Sequence, residues 1–465
     1  MANPSVSGPG AEAAPDRLSR FALALGRVVP DALTTSIVLL ALVFIVALLM
    51  GNSLGRTMDA YYRGLWMLLQ FTMQMTLILV LSGTLGATPS FKRMVMRLAQ
   101  VPRTTTQVLG LAILLSAGLS YLYWGLGVAL GPVVAMYFAR ESEARGLRVD
   151  FPFLLAVIGA AISVWQFGLS ASAPLLMNTP GHFLESTTGL MPLRTTIFTP
   201  AAVTFVILFL LSLLAVSRLL LPRAPALISS FPDSYRLADP LRPVEPEPGA
   251  RPAVPVTTLS ERIEGHSAPT ILLCLALGGW IFYHFAIKGA GLELNSLNTS
   301  LLLLCLLLHR NVKNFSVALQ QAVLSAWPVV VLYHVYAGVA GLIQFTTVGE
   351  TFAQFFASIS NRYTFPLLTA LAAALVSFFV PSSGGQWAIQ GFITSRTAEA
   401  VGVTAQRGLL SLSVGDHVGN LLSPFWVTIS AGIARIDFRR FIGYNLVFAA
   451  LWFGLGVLVF TLMPV

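Results

Sequence analysis

Chemistry in this sequence concentrates in two short stretches of otherwise apolar chain. One reads Gly415-Asp416-His417-Val418-Gly419-Asn420-Leu421-Leu422-Ser423-Pro424-Phe425-Trp426, the other Pro381-Ser382-Ser383-Gly384-Gly385-Gln386-Trp387. Of the 19 acidic residues, Asp416 alone falls inside an apolar span, and no Lys or Arg falls in a span interior. A carboxylate at bilayer depth costs roughly 2.5–3.5 kcal/mol on insertion scales, so it implies a function or a buried partner. Asp416 with His417 is therefore the candidate site for a coupling ion. Asp416 is expected in an unwound stretch facing Ser170, either taking up a proton or staying ionised to neutralise sodium. His334 is a second candidate proton carrier. With no arginine at depth, an anionic substrate has to be held by amides, hydroxyls and the positive ends of half-helices. Ser382, Ser383, Gly384, Gly385, Gln386, Ser170, Ser172, Asn420 and Ser423 are the groups available. Trp124, Trp165 and Trp387 offer apolar walls beside the breaks, and Gly125 and Gly127 allow close approach at a second such turn.

Composition sets the medium in which these groups sit. The chain of 465 residues is 56% hydrophobic and 10% charged, where soluble domains average about 45–50% and 25%. That is a polytopic, all-α membrane protein. A formal charge of +9 would suit nucleic acid if the basic residues formed a surface with interleaved aromatics. They are instead scattered through loops, so no nucleic-acid partner is expected. Cys274 and Cys305 lie in apolar runs and read as buried thiols rather than a disulfide or redox pair. No metal-ligand cluster or cofactor motif is present, and the lipid bilayer is the one certain partner.

The elements that position the site follow from where apolar runs are interrupted. Around Pro381–Gln386 the flanking apolar segments are each short for a crossing helix of about 20 residues. Pro381 lacks an amide donor and Gly384-Gly385 free the backbone, so the chain is read as a re-entrant hairpin over 363–395. The run at Ser120-Tyr121-Leu122-Tyr123-Trp124-Gly125-Leu126-Gly127 makes a matching hairpin over 105–139. Two broken helices follow these hairpins, over 151–178 (with Gly168-Leu169-Ser170-Ala171-Ser172-Ala173-Pro174) and over 408–433. The chain then divides into an N-terminal cytoplasmic tail (1–30), a first membrane half (31–221), a Pro- and Glu-rich cytoplasmic linker (222–268) and a second membrane half (269–465). Spans are expected at 65–86 and, as a single helix, 317–344. Each half runs span, interfacial helix, hairpin, charged loop, broken helix, span. Most of the 28 basic residues fall in loops that are cytoplasmic when the N-terminus is inside. That topology dips the first hairpin in from the cytoplasm and the second from outside, making the repeats inverted, as in secondary transporters that bind substrate at the midplane.

Pro381–Gly391 (PSSGGQWAIQG), Gly415–Trp426 (GDHVGNLLSPFW) and Ser120–Gly127 (SYLYWGLG) resemble the short-chain fatty acid transporter family, over nearly the whole chain except the tail and the linker. Phe392 stands where a proline commonly follows the QG pair, and Ser383 where a smaller residue is usual. The resemblance implies an inner-membrane, elevator-like secondary carrier that imports butyrate, acetoacetate or similar monocarboxylates with a proton or sodium ion. It is not an enzyme on that reading, and it has no resident cofactor. Ser382–Gln386, Asp416 and Asn420 take the family's motif positions. A cation exchanger or short-dicarboxylate carrier of the same architecture is the alternative, and a homodimer is compatible with the class. A hydrolase built from Ser382 or Ser423 with His417 and Asp416 is disfavoured, because neighbouring residues on a helix diverge and no nucleophile elbow is present.

Overall fold

The computed structural model describes residues 32–238, 258–324 and 326–465, so the expected tail and the middle of the linker lie outside the described residues. Every regular element among them is helical. Setting the short helical turns aside, the first half contains α1 (Ala32–Leu49), α2 (Leu54–Met67), α3 (Leu69–Gly86), α4 (Pro89–Ala99), α5 (Thr105–Leu122), α6 (Trp124–Ala144), α7 (Phe151–Ala161), α8 (Ser172–Asn178) and α9 (Pro200–Leu219). A short α10 (Pro232–Leu237) begins the linker. The second half contains α11 (Ala268–Phe282), α12 (Leu294–His309), α13 (Val312–Val323), α14 (Trp327–Phe345), α15 (Val348–Ile359), α16 (Phe365–Ser377), α17 (Ser383–Ala400), α18 (Ala405–Leu422), α19 (Pro424–Ala434) and α20 (Ile442–Leu462). Among the described residues six helices are long and apolar enough to cross a membrane, or seven if the pair bent by 73° at α14 and α15 is one span.

The two halves repeat in packing as well as in order. α1 and α2 lie against α14, while α12 and α13 lie against α3. Those six helices form one body. The hairpins α5–α6 and α16–α17, the broken helices α7–α8 and α18–α19, and the closing helices α9 and α20 form the other, joined mainly through α3 with α6 and α14 with α17. α11 precedes the second repeat, packs on α12 and leaves most of its apolar surface outward, as a lipid-facing helix does.

One expected span needs revision, for a physical reason. The span expected at 65–86 lies within the crossing segment Leu54–Gly86 that α2 and α3 make together. α13, by contrast, splits from the helix expected at 317–344 and carries Lys313, Asn314, Gln320 and Gln321. A window of hydropathy merges its apolar residues with the helix that follows, whereas in three dimensions α13 packs on α3 of the other half.

The linker also begins later than expected. Residues 222–238 dock on the core, where Ser234 Oγ donates to Ala434 O at the end of α19 (2.7 Å) and Arg140 lies over the Tyr235 ring. Asp150 caps α7 and holds the strap that leads there, accepting from Phe153 N (2.7 Å) and Ala226 N (2.8 Å). Cys274 and Cys305 are free and buried. Cys305 packs on α3, its thiol donating to Leu81 O at 3.2 Å.

Candidate functional site

Both hairpin turns are built by one device. The second arm of each hairpin begins with amides that have no partner inside the helix, and hydroxyls from the break in the first broken helix supply one. Trp124 N, opening α6, donates to Ser170 Oγ at 2.8 Å. Gly384 N, near the start of α17, donates to Ser172 Oγ at 3.1 Å. The helix α7 winds into a tighter turn over Ile162–Phe167, and Gly168 then lies so close to Tyr121 that a Cβ would overlap its backbone. This lets Leu169 N donate to Tyr121 O at 2.7 Å. The serines at 170 and 172, on opposite sides of the extended break, thereby reach different hairpins.

At the second turn, Ser382 is the N-cap of α17. Its Oγ accepts from Gly385 N (3.4 Å) and pairs with Tyr333 Oη (2.7 Å) from α14 in the other body. Gly384 and Gly385 are needed for packing as much as for the turn. A Cβ at Gly384 would run into the Phe71 ring of α3, and one at Gly385 into the Tyr336 ring of α14. The amides of Gly384, Gly385 and Gln386, expected to be free for an anion, are therefore already bonded to serines. What faces the cavity is the hydroxyl layer, Ser172, Ser382 and Ser383, with Ser383 Oγ buried and without a protein partner.

The second broken helix differs from expectation at its acidic residue. α18 runs unbroken to Leu422, so Asp416 sits in regular helix, fully buried, and the interruption is confined to Ser423 before Pro424 opens α19. Its close approach to the hairpin arm α16 is permitted by Gly415 and Gly419, where a Cβ would overlap Ala370 and Ser377. Asp416 Oδ2 accepts from Gln166 Nε2 in a very short contact and from Asn420 Nδ2 at 2.9 Å. The partner from the first broken helix is therefore Gln166, four residues before the expected Ser170. Asp416 Oδ1 and Gln166 Oε1 are buried with no hydrogen-bond partner.

A cavity of about 110 Å³ lies between these elements. At roughly 10–15 Å³ per water it has room for several waters or a small organic anion. Its polar lining is Ser172, Ser382, Ser383, Tyr333, Asn420 and His417, with Ser430 and Asn445 contributed by α19 and α20; the rest is largely apolar, with Met75, Val128, Pro132, Leu155, Ile158 and Val427 prominent. Trp124, Trp165 and Trp426 ring it, Trp124 lying 6.1 Å from Trp165 and 6.4 Å from Trp426 between ring centroids. No Lys or Arg among the described residues lines it. Trp426 Nε1 donates to Pro381 O (2.8 Å) and to Asn420 Oδ1 (3.1 Å), tying hairpin turn, broken helix and cavity wall together.

Of the residues singled out in the sequence, Trp124, Trp165, Ser172, Ser382, Ser383, His417 and Asn420 line this cavity. Ser170, Gly384, Gly385, Gly125, Gly127 and Ser423 stand behind it as turn and packing residues. Gln386 is fully buried and turned away, donating to Ala373 O (2.7 Å) and Gln390 Oε1 (2.6 Å). Trp387 is fully buried in the core. His334 lies outside the cavity, its Nδ1 against Val330 O and its ring edge-on to Trp66 at 5.7 Å. Three contributors escaped the sequence reading: Gln166, Tyr333 and Trp426. Gln166 had a signal, a lone amide between Trp165 and Phe167 at the foot of an apolar helix.

The family model described as "Short chain fatty acid transporter" matches residues 15–463. The chain belongs to that family. As a member of the short-chain fatty acid transporter family it is similar to a protein of Escherichia coli (strain K12) that carries the provisional name short-chain fatty acid transporter. The two are 28% identical over 450 residues, covering 96% of this chain and 99% of the relative. A protein of Haemophilus influenzae (strain ATCC 51907 / DSM 11121 / KW20 / Rd) with the same provisional name is 28% identical over 455 residues, covering 95% and 99%. Among solved structures, the Alcanivorax borkumensis YdaH transporter, described as having an unusual topology, superposes with a TM-score of 0.57. It is 14% identical and covers 93% of this chain and 97% of that one, a likeness of fold. The all-helical, multi-pass architecture expected from the sequence is thus the architecture found.

Proposed function

We propose that this family member is a secondary active carrier of the inner membrane, N-terminus in the cytoplasm, that imports short monocarboxylates such as butyrate or acetoacetate together with a proton or sodium ion. The observation that carries the reading is the cavity: hydroxyls and amides set among largely apolar walls, and no Lys or Arg in its lining among the described residues. A carboxylate there accepts from Ser172, Ser382, Ser383 and the Tyr333–Ser382 pair, at the positive end of α17. The short acyl chain lies against Val128, Ile158 and the tryptophans. A dicarboxylate would leave its second charge against apolar wall, a cost of several kcal/mol. Division into two bodies supports an elevator-like cycle in which the hairpin-bearing body slides past α3 and α14. In that cycle the Tyr333–Ser382 hydrogen bond, which crosses between bodies, breaks and re-forms.

The test is counterflow in proteoliposomes. Vesicles loaded with unlabelled butyrate are diluted into labelled butyrate, acetoacetate, succinate or sodium alone, with protein-free vesicles subtracted because the neutral acid crosses lipid unaided. Exchange of the two monocarboxylates and not of succinate supports the reading. Flux of sodium or protons without carboxylate, or exchange of succinate in preference, overturns it.

A further inference from the structure

Asp416 does not touch the cavity, and this separates what binds the coupling ion from what binds substrate. The carboxylate is fully buried, and both groups that reach it, Gln166 and Asn420, present N–H donors to the same oxygen, Oδ2. Donors of this kind repel a cation. A hard ion such as sodium needs a shell of acceptor oxygens, and the two amides here turn their nitrogens to the carboxylate. What remains unmatched is a pair of acceptors, Asp416 Oδ1 and Gln166 Oε1, both buried and neither with a hydrogen-bond partner. A carboxylic acid and a primary amide satisfy each other with two bonds, N–H to the acid's carbonyl and O–H to the amide's. One of those bonds, Gln166 Nε2 to Asp416 Oδ2, is present; the atoms of the other are the two unmatched acceptors. A single proton is what completes the set.

We propose that Asp416 and Gln166 form the proton-holding site of the transport cycle, Gln166 being the positioning residue, and that its state reaches the substrate through Asn420 and Trp426. This rests on the carrier reading above and narrows its coupling ion to a proton. In the step, an O–H bond forms at Asp416 Oδ1 from a proton of the outer solution, Gln166 Oε1 accepts it, and the same bond breaks when the site opens inward. No other bond changes. Asp416 Oδ2 holds Asn420 Nδ2, Asn420 Oδ1 holds Trp426 Nε1, and that indole also holds Pro381 O at the hairpin turn. Asn420 and Trp426 both line the cavity. A negative Asp416 behind that wall repels an arriving carboxylate in a low-dielectric site, and the proton removes the repulsion.

Other titratable groups are few. On α18 itself His417 follows, buried, with both ring nitrogens unpartnered and its ring against Trp165 and Trp452, and Arg407 lies at the far end, bonded to Phe460 O. From α14, Tyr333 and Tyr336 lie within reach of the charge of Asp416. α17 brings Arg396 and Glu399, paired with each other at its outer end, and α20 brings Tyr444, packed on Phe153. α16, α8, α19 and the turn Ile162–Phe167 bring none.

The experiment compares counterflow with gradient-driven accumulation of labelled butyrate in the same proteoliposomes, protein-free vesicles subtracted, under a pH gradient or a sodium gradient. Passive entry of the neutral acid reaches the same limit of about tenfold per pH unit, so accumulation is read as the initial rate: one proton per anion predicts protein-dependent uptake driven by an inward proton gradient, indifference to sodium, and alkalinisation of the outer medium measured with a pH dye. Asp416→Asn is expected to lower the ratio of pH-driven accumulation to counterflow at least tenfold. Gln166→Leu, close in volume and without hydrogen-bonding atoms, is expected to lower the ratio of accumulation to counterflow at least tenfold, and Gln166→Asn to restore part of it. A merely structural role would lower both activities together and leave the ratio unmoved. Accumulation driven by sodium alone, a wild-type ratio in Asp416→Asn, or an unmoved ratio in Gln166→Leu overturns the proposal. Absence of wild-type counterflow defeats the carrier reading itself, a separate outcome.

Discussion

The two hairpin turns share a construction and differ in what they offer to the cavity between them. At Trp124 the capped amide is covered by Ser170, buried behind the wall, and the exposed contribution of that turn is an indole. At Gly384 the amide is covered by Ser172, which lines the cavity alongside Ser382 and Ser383. On the carrier reading proposed above, capping by serine is a structural matter at the first turn and a recognition matter at the second. The two turns are equivalent frames, and side-chain choice makes one apolar and one polar. In that proposal the acyl chain lies toward α6 and α7 and the carboxylate toward α17. The broken helices differ in the same sense. The first carries its interruption over Gly168–Ala171 and sends Gln166 and the serines outward from it, whereas the second breaks only at Ser423 and keeps Asp416 in regular helix.

The largest effect should come from filling the polar turn. In Gly384→Val the added carbons collide with Phe71 of α3 and push α17 from Ser172. Butyrate uptake by correctly inserted protein should fall at least about a hundredfold, the cost of an overpacked site being about 1–3 kcal/mol together with a lost cap bond to the charged-ligand site. Unchanged affinity, measured by competition in counterflow, would mean the carboxylate is held elsewhere. Next in size is the paired comparison of Ser172→Ala and Ser170→Ala. A hydrogen bond to a charged group contributes about 1.5–3 kcal/mol, so Ser172→Ala should raise KM for butyrate by roughly tenfold or more. Ser170→Ala leaves Trp124 N without its acceptor and should lower the melting temperature in detergent with KM within about twofold. Equal effects of both on KM would erase the distinction between the two turns.

Trp426→Phe keeps an aromatic wall and removes the donor to Pro381 O and Asn420 Oδ1. At about 0.5–1.5 kcal/mol for neutral hydrogen bonds, a two- to tenfold fall in uptake is expected, read as initial rate at saturating butyrate. The smallest effect lies at the start of α7. Burial raises the pKa of Asp150 above the ordinary carboxylate value, and the bonds from Ala226 and Phe153 offset part of that shift. Because the folded value is the higher one, the stabilisation linked to this group is fully present below the unfolded pKa and is lost as pH rises through the folded pKa. Melting temperatures measured from pH 4 to 7 should therefore show a downward step just above the ordinary carboxylate range, and the step should be missing in Asp150→Asn.

Much of the architecture could be read from the chain itself, because a bilayer leaves few choices. Apolar runs of given length must be helices, and a run interrupted by Gly, Pro and Ser must be buried in protein or border a cavity. Hairpins, broken helices and the repeat of their order followed from that constraint. Misreadings arose where a local pattern had two outcomes. The apolar face of α13 could join the next helix or pack across to the other half, and hydropathy does not distinguish these. For the site, residue type identified Ser172, Ser382, Ser383, Asn420 and Asp416 as worth attention, since polar groups at depth are costly and need partners. Which partner each one has was decided only by the tertiary fold. Gln166 lies 250 residues from Asp416 in sequence, and Tyr333 reaches Ser382 from the other body. Such pairings depend on how the two repeats meet, which is set by close contacts such as Gly64 on Gly341 and Gly384 on Phe71 summed over the whole interface. No window of sequence contains that sum.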